Sequence, residues 1–360
     1  MRAVGDNGMV DLAAEKLVDW RIARTTGARV GGSGPPLSAL DRARLAEDFA
    51  EVVPLGERWV VEFTHMDPGP PASRPWVMNR SQWVTQNLMA FERIIEPFAR
   101  RVLSSRLGGT LAPARRVVLG AQVGGLLGYV SRRVLGQYDI FVPPDDEGLI
   151  YFVAPNVVGL ERKHRFGPRP FRLWLSLHEV SHRIQFGATP WLRGHLLGLM
   201  DSYLDSVELD PRWLAETLKR AIEDMRRQPV ENRGFGWIFL FMTPGQRDMV
   251  RRMQAIMSLL EGHGTFVMNQ VARGRIEGAE RFDRTLHERR NRAGMEKMLH
   301  KVIGFDMKVR QYDMGERFVA SVVGRVGMDG FNRVWAHPDH LPTLEEISHP
   351  DLWVARVGAA

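Results

Sequence analysis

The chain has 360 residues, of which 44% are hydrophobic and 25% charged, and Lys plus Arg exceed Asp plus Glu by 49 − 42 = 7. That composition is ordinary for a soluble globular protein, and the length allows about two domains or one large decorated one. There is no cysteine, which excludes disulfides, iron–sulfur clusters and cysteine zinc sites and leaves His, Asp and Glu as metal ligands.

The basic excess permits an anionic partner but does not require one, because the basic residues are spread along the chain. Residues 1–30 mix charged and apolar side chains and have no uninterrupted apolar core, so they do not read as a secretory signal. The longest uncharged run, Val117 to Ser131, is shorter than the roughly 20 residues that span a bilayer. Its glycines, Gly120, Gly124, Gly125 and Gly128, suit a buried helix packed closely on a neighbour. No membrane span is expected, and the lack of cysteine fits a cytoplasmic location.

In chain order, Asp11 to Arg24 has the spacing of an amphipathic helix, and Gly31 to Pro36 breaks it. Ser38 is placed to cap a helix from Ala39 to Val53. Trp59 to Phe63 reads as a short extended piece or a helical turn. A helix from Asn79 to about Leu103 follows, with Pro97 predicting a kink or an early end. After the glycine-rich helix near 117–135, Tyr138 to Val142 and Gly148 to Val153 are β-branched and aromatic and read as two strands. They are the only good sheet signal ahead of the motif described below. Asn156 to His164 is a link or short helix.

Pro170 to Phe186 predicts a helix with Leu173, Leu177, Val180 and Ile184 as its buried stripe. Further helices are expected over Trp191 to Val207, Pro211 to Met225 and, capped by Thr243-Pro244, from there to Val271. Glu296 to Ile303 is another short amphipathic piece. Lys308 to Val323 is helical with a break expected at Gly315, and Pro338 to Val357 wraps back over the body. The expected division is 1–135, a helical region packed on the core, and 136–360, the metal-binding catalytic region. The fold class is mainly α (α+β), with a small sheet.

The chemistry lies in His178-Glu179-Val180-Ser181-His182. Two imidazoles four residues apart share one face of a helix and can bind one zinc ion, and the glutamate between them can act as general base on an activated water. Strands upstream of the motif helix give the strand-then-helix order of zincin peptidases. A catalytic zinc takes three protein ligands. The third-histidine extension fails, because Gln185 and Ala188 stand at its glycine and histidine places. The remaining candidates are Glu261 and His263, Asp201 and Asp205, and His195. Glu261 and His263 are about 200° apart on a helix, so one regular helix hardly offers both, and periodicity does not choose between them. Carboxylates are common third ligands, and Gly262 and Gly264 permit close approach; both favour Glu261, with His263 as a contact to substrate or behind the ligands.

The chain resembles an actinobacterial family of zincin-like hydrolases, some of them associated with biosynthesis of a deazaflavin coenzyme. The resemblance rests on Val18-Asp19-Trp20, Asn79-Arg80 with Trp83 and Asn87, Ala154-Pro155-Asn156, and Leu177 to His182 with Gln185-Phe186. It continues through Leu259 to His263 with Val267-Met268, then Lys308, Gln311-Tyr312 and Gly315, and ends on Trp335, Leu341-Pro342-Thr343, Pro350 and Trp353. It implies a mostly helical zincin-like fold, Zn2+ on His178 and His182, Glu179 as base and Glu261 as third ligand. Glutamate-liganded zincins often carry an acid four residues after that ligand to support a histidine; here the place holds Thr265.

The expected activity is hydrolysis of a peptide or amide bond, with Glu179 as base and His263 as a further catalytic candidate. Oxyanion help is assigned to His263, Tyr312 or an arginine, and Leu149 to Val153 is expected to pair edge-on with an extended substrate. The alternative is a zincin-like binding or scaffold protein with little catalysis, motivated by the missing support acid and by the lack of any indicated substrate. Arg289-Arg290-Asn291-Arg292 with Lys297, Lys301, Lys308 and Arg310 reads as a solvated helical face, so nucleic acid is not an expected partner.

Overall fold

The computed structural model describes residues 16–104, 112–140, 148–206, 242–292 and 310–358. In chain order these form α1 (Trp20–Gly31), α2 (Ala39–Thr64), β1 (Arg74–Met78), α3 (Arg80–Ser104), α4 (Ala112–Ser131), β2 (Gly136–Tyr138), β3 (Leu149–Val153) and α5 (Ala154–His164). Then come α6 (Pro168–Gly187), α7 (Pro190–Asp205), α8 (Pro244–Ala272), α9 (Ala279–Arg292), α10 (Arg310–Asn332), α11 (Leu344–Ser348) and α12 (Pro350–Val357). This is the mainly helical α+β class expected from the sequence. The helices expected at Pro211 to Met225 and Glu296 to Ile303 lie outside the described residues, as does the end of the strand expected to reach Val142. Among the described residues no helix is long and apolar enough to cross a membrane.

The chain divides into two compact units, Met1–Gly32 with Arg80–Arg132, and Ser33–Asn79 with Arg133–Ala360. In the first, α1 packs on α3 and α4. Helix α1 begins at Trp20, where the Asp19 carboxylate accepts from Ile22 N at 3.0 Å and caps it; Asp11 to Glu15 of the helix expected there lie outside the described residues. Methyl groups on Gly120, Gly124 and Gly128 would lie 2.1–2.5 Å from the carbonyl oxygens of Asp19, Ala23 and Gly27. The glycine row of α4 therefore lets two helix backbones touch, as its composition suggested.

The second unit holds the site. Helix α2 starts at a capping box between Ser38 and Asp41 and runs straight past Pro54 to Thr64, absorbing the Trp59 to Phe63 piece. Proline removes one backbone hydrogen bond, but Leu45, Phe49, Val52, Val53 and Val60 are fully buried on both sides of it. Burial of that continuous stripe outweighs the local break. The three-stranded sheet has the order β1-β3-β2, with β1 parallel to β3 and β2 antiparallel to it. Strand β1 carries no strand signal, since Arg74-Pro75-Trp76-Val77-Met78 follows a proline-rich loop. It forms at an edge, where proline is tolerated. With a neighbour on each side, β3 has no open edge, which corrects the expectation that Leu149 to Val153 pairs with substrate.

Helix α8 has the predicted start, a capping box between Thr243 and Gln246 with Pro244 in the first turn. Helix α10 is unbroken at Gly315 and departs from helical geometry only at Gly327, at φ 74°. Gly315 is instead a packing residue against α8. The C-terminal segment joins the core through Ile347, Trp353 and Val357, and Trp353 Nε1 donates to His340 O at 2.7 Å.

Candidate metal centre

Helix α6 is nearly enclosed, since from Phe171 to Phe186 every residue is buried except His178 and His182. The apolar stripe read from the sequence understates this burial, because polar Ser176, Ser181, Arg183 and Gln185 are buried too. Ser176 and Ser181 satisfy their hydroxyls on the helix itself, donating to Arg172 O and Leu177 O at 2.8 and 2.7 Å. Arg183 donates to the carbonyls of Pro68, Gly69 and Pro71 at 3.0, 2.7 and 2.5 Å. Between Phe171 and Phe186 the helix surfaces only at the two imidazoles, whose Nε2 atoms are 3.2 Å apart.

Glu261 on α8 faces them. Its carboxylate oxygens lie 3.6 Å from His178 Nε2 and 3.9 Å from His182 Nε2. Donor atoms at the corners of a tetrahedron around an ion bound at about 2.0–2.1 Å are about 3.3 Å apart. The three separations fit one such ion, and the donor set, two imidazoles and a carboxylate, suits zinc. Among the described residues this trio is the one group of three His, Asp or Glu donors within 4.8 Å of one another. Asp201, Asp205 and His195 lie outside it; the His195 ring instead meets Trp191 edge-on at 5.9 Å.

Glu179 is 5% exposed. Its Oε2 accepts from Tyr138 N at 3.0 Å, and a methyl on Gly136 would stand 2.7 Å from its Cγ. Strand β2, not β3, therefore lies over the motif. Burial is the main cause that raises the Glu179 carboxyl to about 7; His182 opposes the rise, and Glu261 adds to it.

Gln185 supplies what Thr265 does not. Its Oε1 is 2.9 Å from His182 Nδ1, and its Nε2 is 2.9 Å from both Leu260 O and His263 Nδ1. The sequence flagged Gln185 only as a failed glycine place; the signal for this role is its position three residues after His182, one turn along the same face. His263 has no exposed surface. Its ring stacks on Phe331 at 5.3 Å and meets Trp335 edge-on at 5.4 Å. Burial, with a smaller push from His182, drops its pKa to about 3, so it is neutral. A substrate does not reach this ring, which bears on the expectation of a catalytic His263. Among the described residues His178 Nδ1 is buried with no hydrogen-bond partner. Gly264 packs against both metal-facing rings, its missing methyl leaving 3.2 Å to His182 Cε1 and 3.3 Å to His178 Cε1. The Tyr312 side chain lies outside the described residues.

One turn beyond Glu261 on α8, Thr265 lines a cavity of about 1070 Å3 whose wall also includes Asn269, Arg273, Arg284 and Arg317.

A helix bearing two histidines and a buried glutamate, a carboxylate from a second helix and a strand over the glutamate define a zincin-type centre. The chain belongs to the zincin-like metallopeptidase family, whose sequence model matches residues 18–354. It is also similar to a solved structure from Chloroflexus aurantiacus, described as a candidate hydrolase with a novel fold. That likeness has 30% identity and a TM-score of 0.73, and covers 96% of this chain and 100% of the other. No curated protein matches the chain. Family membership supports a hydrolase and implies a metal ion.

Proposed function

We propose that the chain is a zinc-dependent peptidase or amidase in which His178, His182 and Glu261 hold the metal and Glu179 is the general base. The observation that carries this reading is the convergence of three donor side chains, with contacts of 3.2, 3.6 and 3.9 Å, beside a buried glutamate. A zinc ion bound there polarises a carbonyl and acidifies water.

The chain's own groups do the rest. The Glu179 carboxylate takes a proton from the attacking water and passes it to the leaving nitrogen. The Tyr138 N–H orients that carboxylate, and Gly136 leaves the space it occupies. Between Phe171 and Phe186 the helix is buried except at the two imidazoles, and the low-dielectric surroundings of Glu179 strengthen charge interactions at its carboxylate. His263, being enclosed, acts through Gln185 rather than on substrate. Support for His182 from Gln185 removes one of the two motives for the scaffold reading, the missing support acid, and so favours catalysis.

The test is a peptide-pool digestion by zinc-loaded wild type and Glu179→Gln. Cleavage by the wild type that disappears in the variant, with zinc still bound one per chain, supports the reading. Equal cleavage by both, or no cleavage of any pool by a zinc-loaded wild type, overturns it.

A further inference from the structure

We propose that Gln185 is the positioning residue of this centre, locking His182 in the tautomer whose Nε2 lone pair faces the metal position and tying that ring to the helix that bears Glu261. The inference rests on the metal reading above but has a part that stands without metal.

The argument is one of donors and acceptors. Leu260 O can only accept, so the Gln185 atom 2.9 Å from it is the amide nitrogen. Oε1 is then the atom 2.9 Å from His182 Nδ1. An amide oxygen can only accept, so His182 Nδ1 carries its proton. Its Nε2 is left with a lone pair, aimed between His178 and Glu261. The second amide hydrogen goes to His263 Nδ1, also at 2.9 Å, which must therefore be unprotonated. His263 is buried and wedged between Phe331 and Trp335, so the acceptor that steers Gln185 is itself immobile.

Both anchors flank Glu261 in sequence, one residue before it and two after. Gln185 thus fixes the orientation of one ligand and the approach of the helix that carries another. This is the office of outer partners in metal sites, whose loss typically weakens binding about 10–100-fold. His178 has no equivalent among the described residues, where its Nδ1 is buried without a partner. The centre is asymmetric, with a hydrogen bond on the Nδ1 of one imidazole and not on that of the other.

Two measurements test this, with Gln185→Met, Gln185→Glu and His263→Phe beside the wild type and thermal melts of the metal-free proteins as a control for folding. The first is 15N chemical shift of the histidine rings in metal-free protein, with the His182 signal assigned by its loss in His182→Asn. The expected result is a protonated Nδ1 and bare Nε2 on His182, becoming a tautomer mixture in Gln185→Met. The second is zinc affinity by competition with a chromophoric chelator. Affinity is expected to fall about 10–100-fold in Gln185→Met and less in His263→Phe, and Gln185→Glu, which keeps the acceptor for His182 but loses both donors, is expected to lose less than Gln185→Met. A His182 protonated on Nε2, wild-type affinity in Gln185→Met, or an equal loss in Gln185→Glu and Gln185→Met overturns the proposal. If the wild type binds no zinc, the metal reading fails instead, and the 15N shifts still decide the role of Gln185. If Gln185→Met does not fold, Gln185→Glu and His263→Phe carry both measurements.

Discussion

Gly262 and Gly315 meet backbone to backbone. A methyl on Gly262 would stand 2.2 Å from the carbonyl carbon of Gly315, and one on Gly315 would stand 2.1 Å from Ser258 O. This crossing of α8 and α10 lies one residue from Glu261, so the fit of two helices sets where a metal donor sits.

Gly315→Ala is therefore expected to destabilise the fold by about 1–3 kcal/mol or more, since the added methyl meets backbone that cannot rotate away. Urea denaturation of the metal-free protein measures this. Zinc affinity should fall with it, because α8 has to shift away from α10. An alanine variant with wild-type stability would mean that the two helices are not in contact.

Glu261→Gln keeps the shape of the side chain and removes its charge. Zinc affinity should fall by more than the roughly 10–100-fold lost with an outer partner. His263→Phe should retain bound zinc. Metal analysis after gel filtration separates the two, and the opposite order would make His263 the third ligand.

Turnover in Glu179→Gln should drop by at least about 100-fold while zinc stays bound, because a general base is lost and no ligand is. Treatment of the wild type with a chelator should remove the same activity, and added zinc should restore it. Activity that survives chelation would exclude a metal-dependent reaction.

Gly136→Ala probes the strand over the base. The new methyl would stand 2.7 Å from Glu179 Cγ and 2.8 Å from Oε1, so the carboxylate has to move. A displacement near 1 Å can cost about 100-fold in rate. The expected result is a large loss of kcat with unchanged zinc content. Full activity in this variant would place the working Glu179 away from β2.

Far from the centre, the Glu346 carboxylate accepts from Thr343 N at 2.8 Å and from Arg356 Nε at 2.6 Å. Arg356 and Thr343 together hold its pKa below the ordinary value, against the opposing effect of burial. A carboxyl depressed in the folded state contributes stability above its unfolded pKa and loses it as pH falls through the folded one. Glu346→Gln should therefore be less stable than wild type by about 0.5–1 kcal/mol near pH 7. That difference should shrink toward zero as pH falls through the depressed folded pKa. Chemical denaturation at several pH values reads this, and a difference that grows in acid would contradict the ion pair.

The amino-acid sequence by itself determined the elements whose signals are local. His178 and His182 share a face because they are four residues apart on a helix. Thr243-Pro244 starts α8 where a cap and a first-turn proline say it must. The mainly helical class follows from the same 3.6-residue periodicity. Where local chemistry and burial disagree, as at Pro54 and Gly315, the sequence misleads, because the apolar faces that carry the helix through are satisfied by distant partners.

Only the tertiary structure decided which residues meet across the chain. Periodicity left Glu261 and His263 equal candidates on opposite flanks of one helix. Packing turned Glu261 toward the imidazoles and sealed His263 among Phe331 and Trp335. It also brought Tyr138 to Glu179 across 41 residues and Gln185 to His263 across 78. Such pairings depend on how whole helices and strands dock, which no short window of sequence encodes.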